Sequence, residues 1–154
     1  MKAQINGKEF SFEANETILD VARRNGVFIP TLCELHDIDH APGTCRICLV
    51  EVKENEQEEP KYVTACDTAM AEGWKVMTRT PKVQEMRQLQ TEMIMADHHQ
   101  DCASCPRNGN CELLAAATSV GLKQIRFRYT EGWENLEPDC GTQPVVYDRS
   151  RCIR

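Results

Sequence analysis

The sequence predicts an α+β fold in unequal parts: a small mixed domain of strands and helix over residues 1–78, a mainly helical segment over 79–130, and an irregular tail over 131–154. Three observations carry that prediction. Residues 2–12 alternate apolar and polar about an Asn6–Gly7 pair, runs rich in β-branched residues recur between 47 and 78, and from Pro81 the apolar spacing lengthens to that of a helix. Hairpin, helix and then further strands is the element order of a small α+β domain.

Taken in order, Ala3 and Ile5 alternate with polar neighbours, Asn6–Gly7 supplies the positive φ angles of a two-residue hairpin turn, and Phe10 and Phe12 resume the alternation. A short helix follows, expected to be capped by Asn15, with Glu16 at its positive end and Ile18, Val21 and Ala22 on one face. Arg23 and Arg24 face water, Asn25–Gly26 offers a left-handed stop, and Pro30 forbids immediate resumption. Residues 47–52 read as a strand, and 62–66 and 74–78 complete a set of four or five. Between them, the acidic run Glu54–Glu59 closed by Pro60 reads as a solvated hairpin loop. Over 81–96, Val83, Met86, Leu89 and Met93 recur at helical intervals among charged and amide residues, so this is an amphipathic helix whose methionines serve packing. A second short helix is expected over Cys111–Thr118, ended by Gly121, and a strand over 124–129.

Composition narrows the function. The chain has 154 residues, with 18 basic against 24 acidic side chains. That balance argues against nucleic acid or an anionic membrane as the main partner. No apolar run is long enough to cross a bilayer, so direct membrane insertion is not expected. The first residues lack the apolar core of a signal peptide. Nine cysteines remain to be explained. In a reducing cytosol, an odd number of clustered thiols points to metal ligands or redox groups rather than disulfides, so a cytoplasmic metal or redox protein is expected.

Cys33, Cys45, Cys48 and Cys66 are separated by eleven, two and seventeen residues. Four thiolates can hold a tetrahedral zinc ion or an iron–sulfur cluster. Zinc ribbons pair two Cys-x2-Cys knuckles, and here there is one, which favours iron and sulfide. The segment His36–Thr44, with Pro42, Gly43 and Thr44, has the length and turn chemistry of a loop that wraps a cluster with its N–H groups inward. His36 and His40 read as solvated loop histidines.

These residues are familiar. Cys45 and Cys48 running into Leu49–Val52, then Val63–Cys66 and Glu72–Val76, resemble the N-terminal [2Fe–2S] domain of two related families. They are the large iron–sulfur subunit of respiratory NADH dehydrogenase (complex I) and the multi-subunit NAD(P)-linked [FeFe]-hydrogenases. The resemblance implies a β-grasp, plant-type ferredoxin-like fold, with Cys33, Cys45, Cys48 and Cys66 as ligands of a [2Fe–2S] cluster.

His98, Cys102, Cys105 and Cys111 form a second set, separated by three, two and five residues, with Asn108–Gly109 as the turn. On spacing alone, a zinc knuckle of three Cys and one His is a rival to a cluster. The series is similar to the one-His, three-Cys [4Fe–4S] site of the same families, and from His98 to Leu113 it looks especially close to the hydrogenase form. The resemblance covers about residues 1–128 and assigns His98, not the adjacent His99, as the fourth ligand. An imidazole in place of a thiolate leaves a cluster less negative and easier to reduce.

Cys140 and Cys152 are left over. They read as unmodified thiols ahead of a metal site completed within or between chains, and ahead of a disulfide. Residues 145–154 look like the beginning of a further ferredoxin-like domain, but a single cysteine there cannot hold a [4Fe–4S] cluster, so no further centre is expected within this sequence. No phosphate-binding glycine loop, HExxH motif or GxSxG elbow occurs. The chain is therefore expected to have no catalytic site of its own. The resemblance implies an electron-transfer subunit working between a flavin- or NAD(P)-binding subunit and a catalytic hydrogenase or formate dehydrogenase subunit. A zinc-stabilised adaptor without a redox role is the alternative.

Overall fold

Asn6 and Gly7, at φ 52° and 81°, turn the chain between β1 (Lys2–Ile5) and β2 (Lys8–Ser11), the tight hairpin that the sequence predicts. In this computed structural model the residues described are 1–35, 38, 40–55, 57–127, 138–141, 146–148 and 151. β3 (Leu49–Lys53) and β4 (Lys61–Thr64) form a second antiparallel pair, with the exposed acidic residues Glu54, Glu58 and Glu59 in the loop between them. β5 (Lys75–Met77) joins the two hairpins, parallel to β1 and antiparallel to β3, to give the sheet order β2-β1-β5-β3-β4. This is the expected α+β, ferredoxin-like architecture.

α1 (Ile18–Arg24) lies across the sheet, burying Ile18, Leu19, Val21 and Ala22 with Ile5, Val50, Val52 and Val76. Its cap is Thr17 rather than Asn15. The Thr17 hydroxyl accepts from the Asp20 N–H at 3.1 Å while Asp20 Oδ2 accepts from the Thr17 N–H at 3.0 Å. This reciprocal box satisfies two N–H groups at once, whereas Asn15, at φ 70°, is used in the turn before it.

α2 (Pro81–Ala96) has the predicted bounds, with Thr80 accepting from the Val83 N–H and Pro81 in the first turn. Its buried face differs from the apolar spacing. Leu89 and Met93 are 41% and 54% exposed, while Val83, Arg87, Thr91 and Met95, four residues apart, point inward together with Glu92. Polar partners decide this. Arg87 meets the Leu49 carbonyl, and Glu92 accepts from both the backbone and the guanidinium of Arg126. That second contact also explains why residues 124–127 are not the expected strand: they lie against α2, held by side chain rather than by a ladder. The remainder of that predicted strand, and Cys152 with most of the tail, lie outside the described residues.

α3 (Glu112–Ser119) runs slightly past the predicted helix, and Gly121 at φ 70° follows it. A second apolar core gathers Leu32, Cys45 and Ile47 from the first part of the chain with Met95, Leu113, Ala116 and Val120 from the helices. It ties the loop before β3 to α2 and α3.

Candidate metal centres

The first thiol set sits where the sheet meets the helices. Cys48 and Cys66 lie at neighbouring ends of β3 and β4, with their sulfurs 3.3 Å apart. Cys45 and Cys33 form the other close pair, the Cys45 N–H donating to Cys33 Sγ at 3.4 Å. Cys45, Cys48 and Cys66 are 6%, 1% and 7% exposed, and Cys33 is half-buried. The structure thus brings together four cysteines that are up to 33 residues apart in sequence.

The backbone around them is shaped for anions. Gly43 and Arg46 both adopt positive φ, at 110° and 55°. A Cβ on Gly43 would fall 2.5 Å from Asp67 Oδ2, so only glycine lets the loop approach the turn after Cys66. Burial opposes ionisation of Cys33, but the N–H groups of Cys45, Gly43 and Thr44 prevail and hold its thiol below the ordinary range. Cys48 is drawn down to about 7 by the Cys66 thiol, with the backbone of Cys66 and Ala65 assisting, while Cys66 is pushed up by the same hydrogen bond and by burial. Burial likewise raises Cys45. One thiolate per pair is favoured by the protein alone. Cations between the pairs would stabilise all four, since metal binding displaces thiol protons. Two close sulfur pairs, buried and backed by N–H donors, suit a [2Fe–2S] core.

His40 is not a solvated loop histidine. It is half-buried, and its Nε2 donates to the Cys33 carbonyl at 2.7 Å, fixing the backbone of a candidate ligand. His36 lies outside the described residues.

The second set occupies a succession of turns between α2 and α3. His98 follows the last turn of α2 and is half-buried, whereas His99 is exposed. Cys102, Cys105 and Cys111 are each half-buried. Short backbone bonds fold the segment: Cys105 N–H to Cys102 O, Asn108 N–H to Cys105 O and Asn110 N–H to Arg107 O, with Gly109 at φ 83°. Cys111 caps α3, its sulfur accepting from the Leu114 N–H at 3.5 Å. Among the described residues no group of three His, Cys, Asp or Glu side chains is arranged to hold a single metal ion.

One residue of this region had no sequence signal as functional. Arg87 is a buried cation bound to the carbonyl of Leu49, the residue after Cys48, and its only visible hint was its place four residues from Val83 and from Thr91 on a helix.

A family model for a 2Fe-2S iron-sulfur cluster binding domain matches residues 1–81. The chain belongs to that family. A second model, for the NADH-ubiquinone oxidoreductase-G iron-sulfur binding region, matches residues 87–126. A [2Fe–2S] and a [4Fe–4S] cluster are accordingly the cofactors of this 2Fe-2S-domain protein. The gamma subunit of the NAD-reducing hydrogenase HoxS from Cupriavidus necator is 34% identical over 149 residues, covering 97% of this chain and 60% of that subunit. The G 2 subunit of NADH-quinone oxidoreductase from Rhizobium meliloti is 35% identical over 154 residues, which is 18% of its length. The chain therefore spans less than two thirds of the length of each of these relatives. The fold is shared with a chain of an NAD+-reducing [NiFe]-hydrogenase solved in the H2-reduced state, with a TM-score of 0.82 at 23% identity, covering 99% of this chain and 61% of that one. Among the described residues no helix is long and apolar enough to cross a membrane.

Proposed function

We propose that this chain is an electron-transfer subunit of a multi-subunit NAD(P)-linked oxidoreductase of hydrogenase or formate dehydrogenase type. In this reading Cys33, Cys45, Cys48 and Cys66 hold the [2Fe–2S] cluster in a domain over 1–78. His98, Cys102, Cys105 and Cys111 hold the [4Fe–4S] cluster in a segment over 79–130. When bound, each cluster takes up and returns one electron without binding a substrate. A flavin- or NAD(P)-binding subunit stands on one side and a catalytic subunit on the other, in the cytoplasm.

The observation that carries the reading is the second apolar core. Cys45 belongs to it with Leu32, Ile47, Met95 and Leu113, and Cys33 and Cys111 both pack against it. The two candidate ligand sets thus share one apolar core. The sequence is acidic, at a formal charge of −6, before any cluster is added. Four thiolates on an oxidised [2Fe–2S] core contribute about −2 and the second centre about −1, so basic docking surfaces on the partners are expected.

Anaerobic purification from the native host tests this directly. About six irons and six acid-labile sulfides per chain are expected, with two EPR signals on reduction and co-purifying oxidoreductase subunits. A colourless protein carrying zinc overturns the reading. Both signals without any bound subunit would instead indicate a freely diffusing ferredoxin.

A further inference from the structure

Arg87 lies in the middle of the buried face of α2 and is 3% exposed. Its Nε and Nη2 both donate to the Leu49 carbonyl, at 2.9 and 2.6 Å. A guanidinium has five N–H donors. Among the described residues the other three meet no protein acceptor, and no carboxylate pairs with the charge. Removing a cation from water without an answering anion is costly. Yet this one is held by the residue next to Cys48, which is itself 1% exposed. Burial lowers Arg87 to about 10, a Cys48 thiolate favours its charged form and Arg79 opposes it, so the side chain is a cation at neutral pH.

We propose that Arg87 is the counter-cation of the [2Fe–2S] centre, brought to it by α2 to raise its reduction potential. The proposal rests on the assignment of Cys48 to that centre. Reduction adds one electron and no proton, taking the four-thiolate centre from about −2 to about −3. A fixed positive charge in a poorly solvated interior therefore stabilises the reduced form more than the oxidised form. Arg87 acts through the field rather than as a ligand, and its anchor on Leu49 keeps that field in place. The helical part of the chain would thereby set the redox poise of the sheet part.

The test is a redox titration of the full chain followed by EPR, with the [4Fe–4S] signal as an internal reference. Arg87→Gln and Arg87→Met remove the charge, and Arg87→Lys keeps it. We expect both neutral variants to weaken reduction of the [2Fe–2S] centre about tenfold, which is 59 mV for one electron. The [4Fe–4S] potential should stay in place, and Arg87→Lys should recover most of the shift. An unshifted [2Fe–2S] potential in the neutral variants, or equal shifts of both centres, overturns the proposal. If the neutral variants lose the [2Fe–2S] signal while Arg87→Lys keeps it, the need for a cation stands on cluster retention. Loss in all three variants makes Arg87 merely structural and overturns it. Absence of a [2Fe–2S] signal from the unmodified protein would instead sink the functional reading itself.

Discussion

The two candidate ligand sets differ in how much of their geometry the polypeptide supplies. In the first, Cys48 and Cys66 hang from strands already paired through Leu49 and Thr64, and the Gly43–Arg46 turn presents N–H groups to the half-buried Cys33 sulfur. In the second, half-buried cysteines are strung along turns whose backbone bonds span only two or three residues. Only Cys111 is fixed by a regular element, as the cap of α3. A sheet can pre-form a site because ladder bonds position its strand ends. A succession of turns between two helices has no such frame, so ligand–metal bonds must supply much of its order.

Removing the metal is the strongest way to break that contrast. Anaerobic chelation of both clusters should raise amide exchange across residues 98–111 by about two orders of magnitude, while β1, β3 and β5 keep most of their protection. Equal losses in the two regions, measured by hydrogen-exchange mass spectrometry, would show that the sheet does not pre-form its site. A more local effect sharpens the second region. His98→Ala should lower [4Fe–4S] content at least about tenfold and spare the [2Fe–2S] signal, whereas His99→Ala should leave both EPR signals intact. Matching effects of the two substitutions would remove the basis for choosing His98. The smallest expected effect concerns the first loop. Gly43→Ala forces a Cβ against Asp67 at φ 110° and should cost about 1–3 kcal/mol in thermal unfolding. Adding Asp67→Ala should restore part of it, because the clash disappears while the backbone strain remains. No recovery would mean that φ alone sets the cost.

Much of this was legible in the residues. The turn at Asn6–Gly7 follows from two backbone conformations that few residue pairs adopt, and the bounds of α2 follow from Thr80 and Pro81. The cysteine spacing pointed to two sets, and the structure pairs the first of them in space. What escaped were choices settled by polar contacts, some between near neighbours and some across long stretches of sequence. Asn15 and Thr17 are both good caps, and the reach of Asp20 decides between them. Apolarity placed Leu89 and Met93 inward, but Leu49 and Arg126 offer partners to Arg87 and Glu92 on another face. The Cys33 carbonyl likewise recruits His40, seven residues away, from a loop that reads as solvent-exposed.

Because β1 pairs in parallel with β5, the centre of the sheet can close only once Lys75 and Val76 are available to Gln4 and Ile5. Such long-range pairings form slowly, since loop entropy is lost before contacts reward it. All four thiols of the first set lie inside that loop. Until it closes, a growing chain carries unpaired strand edges and an incomplete set of cysteines, a state open to aggregation. Timely closure of one short parallel pair thus governs when this chain becomes able to receive iron and sulfide at all.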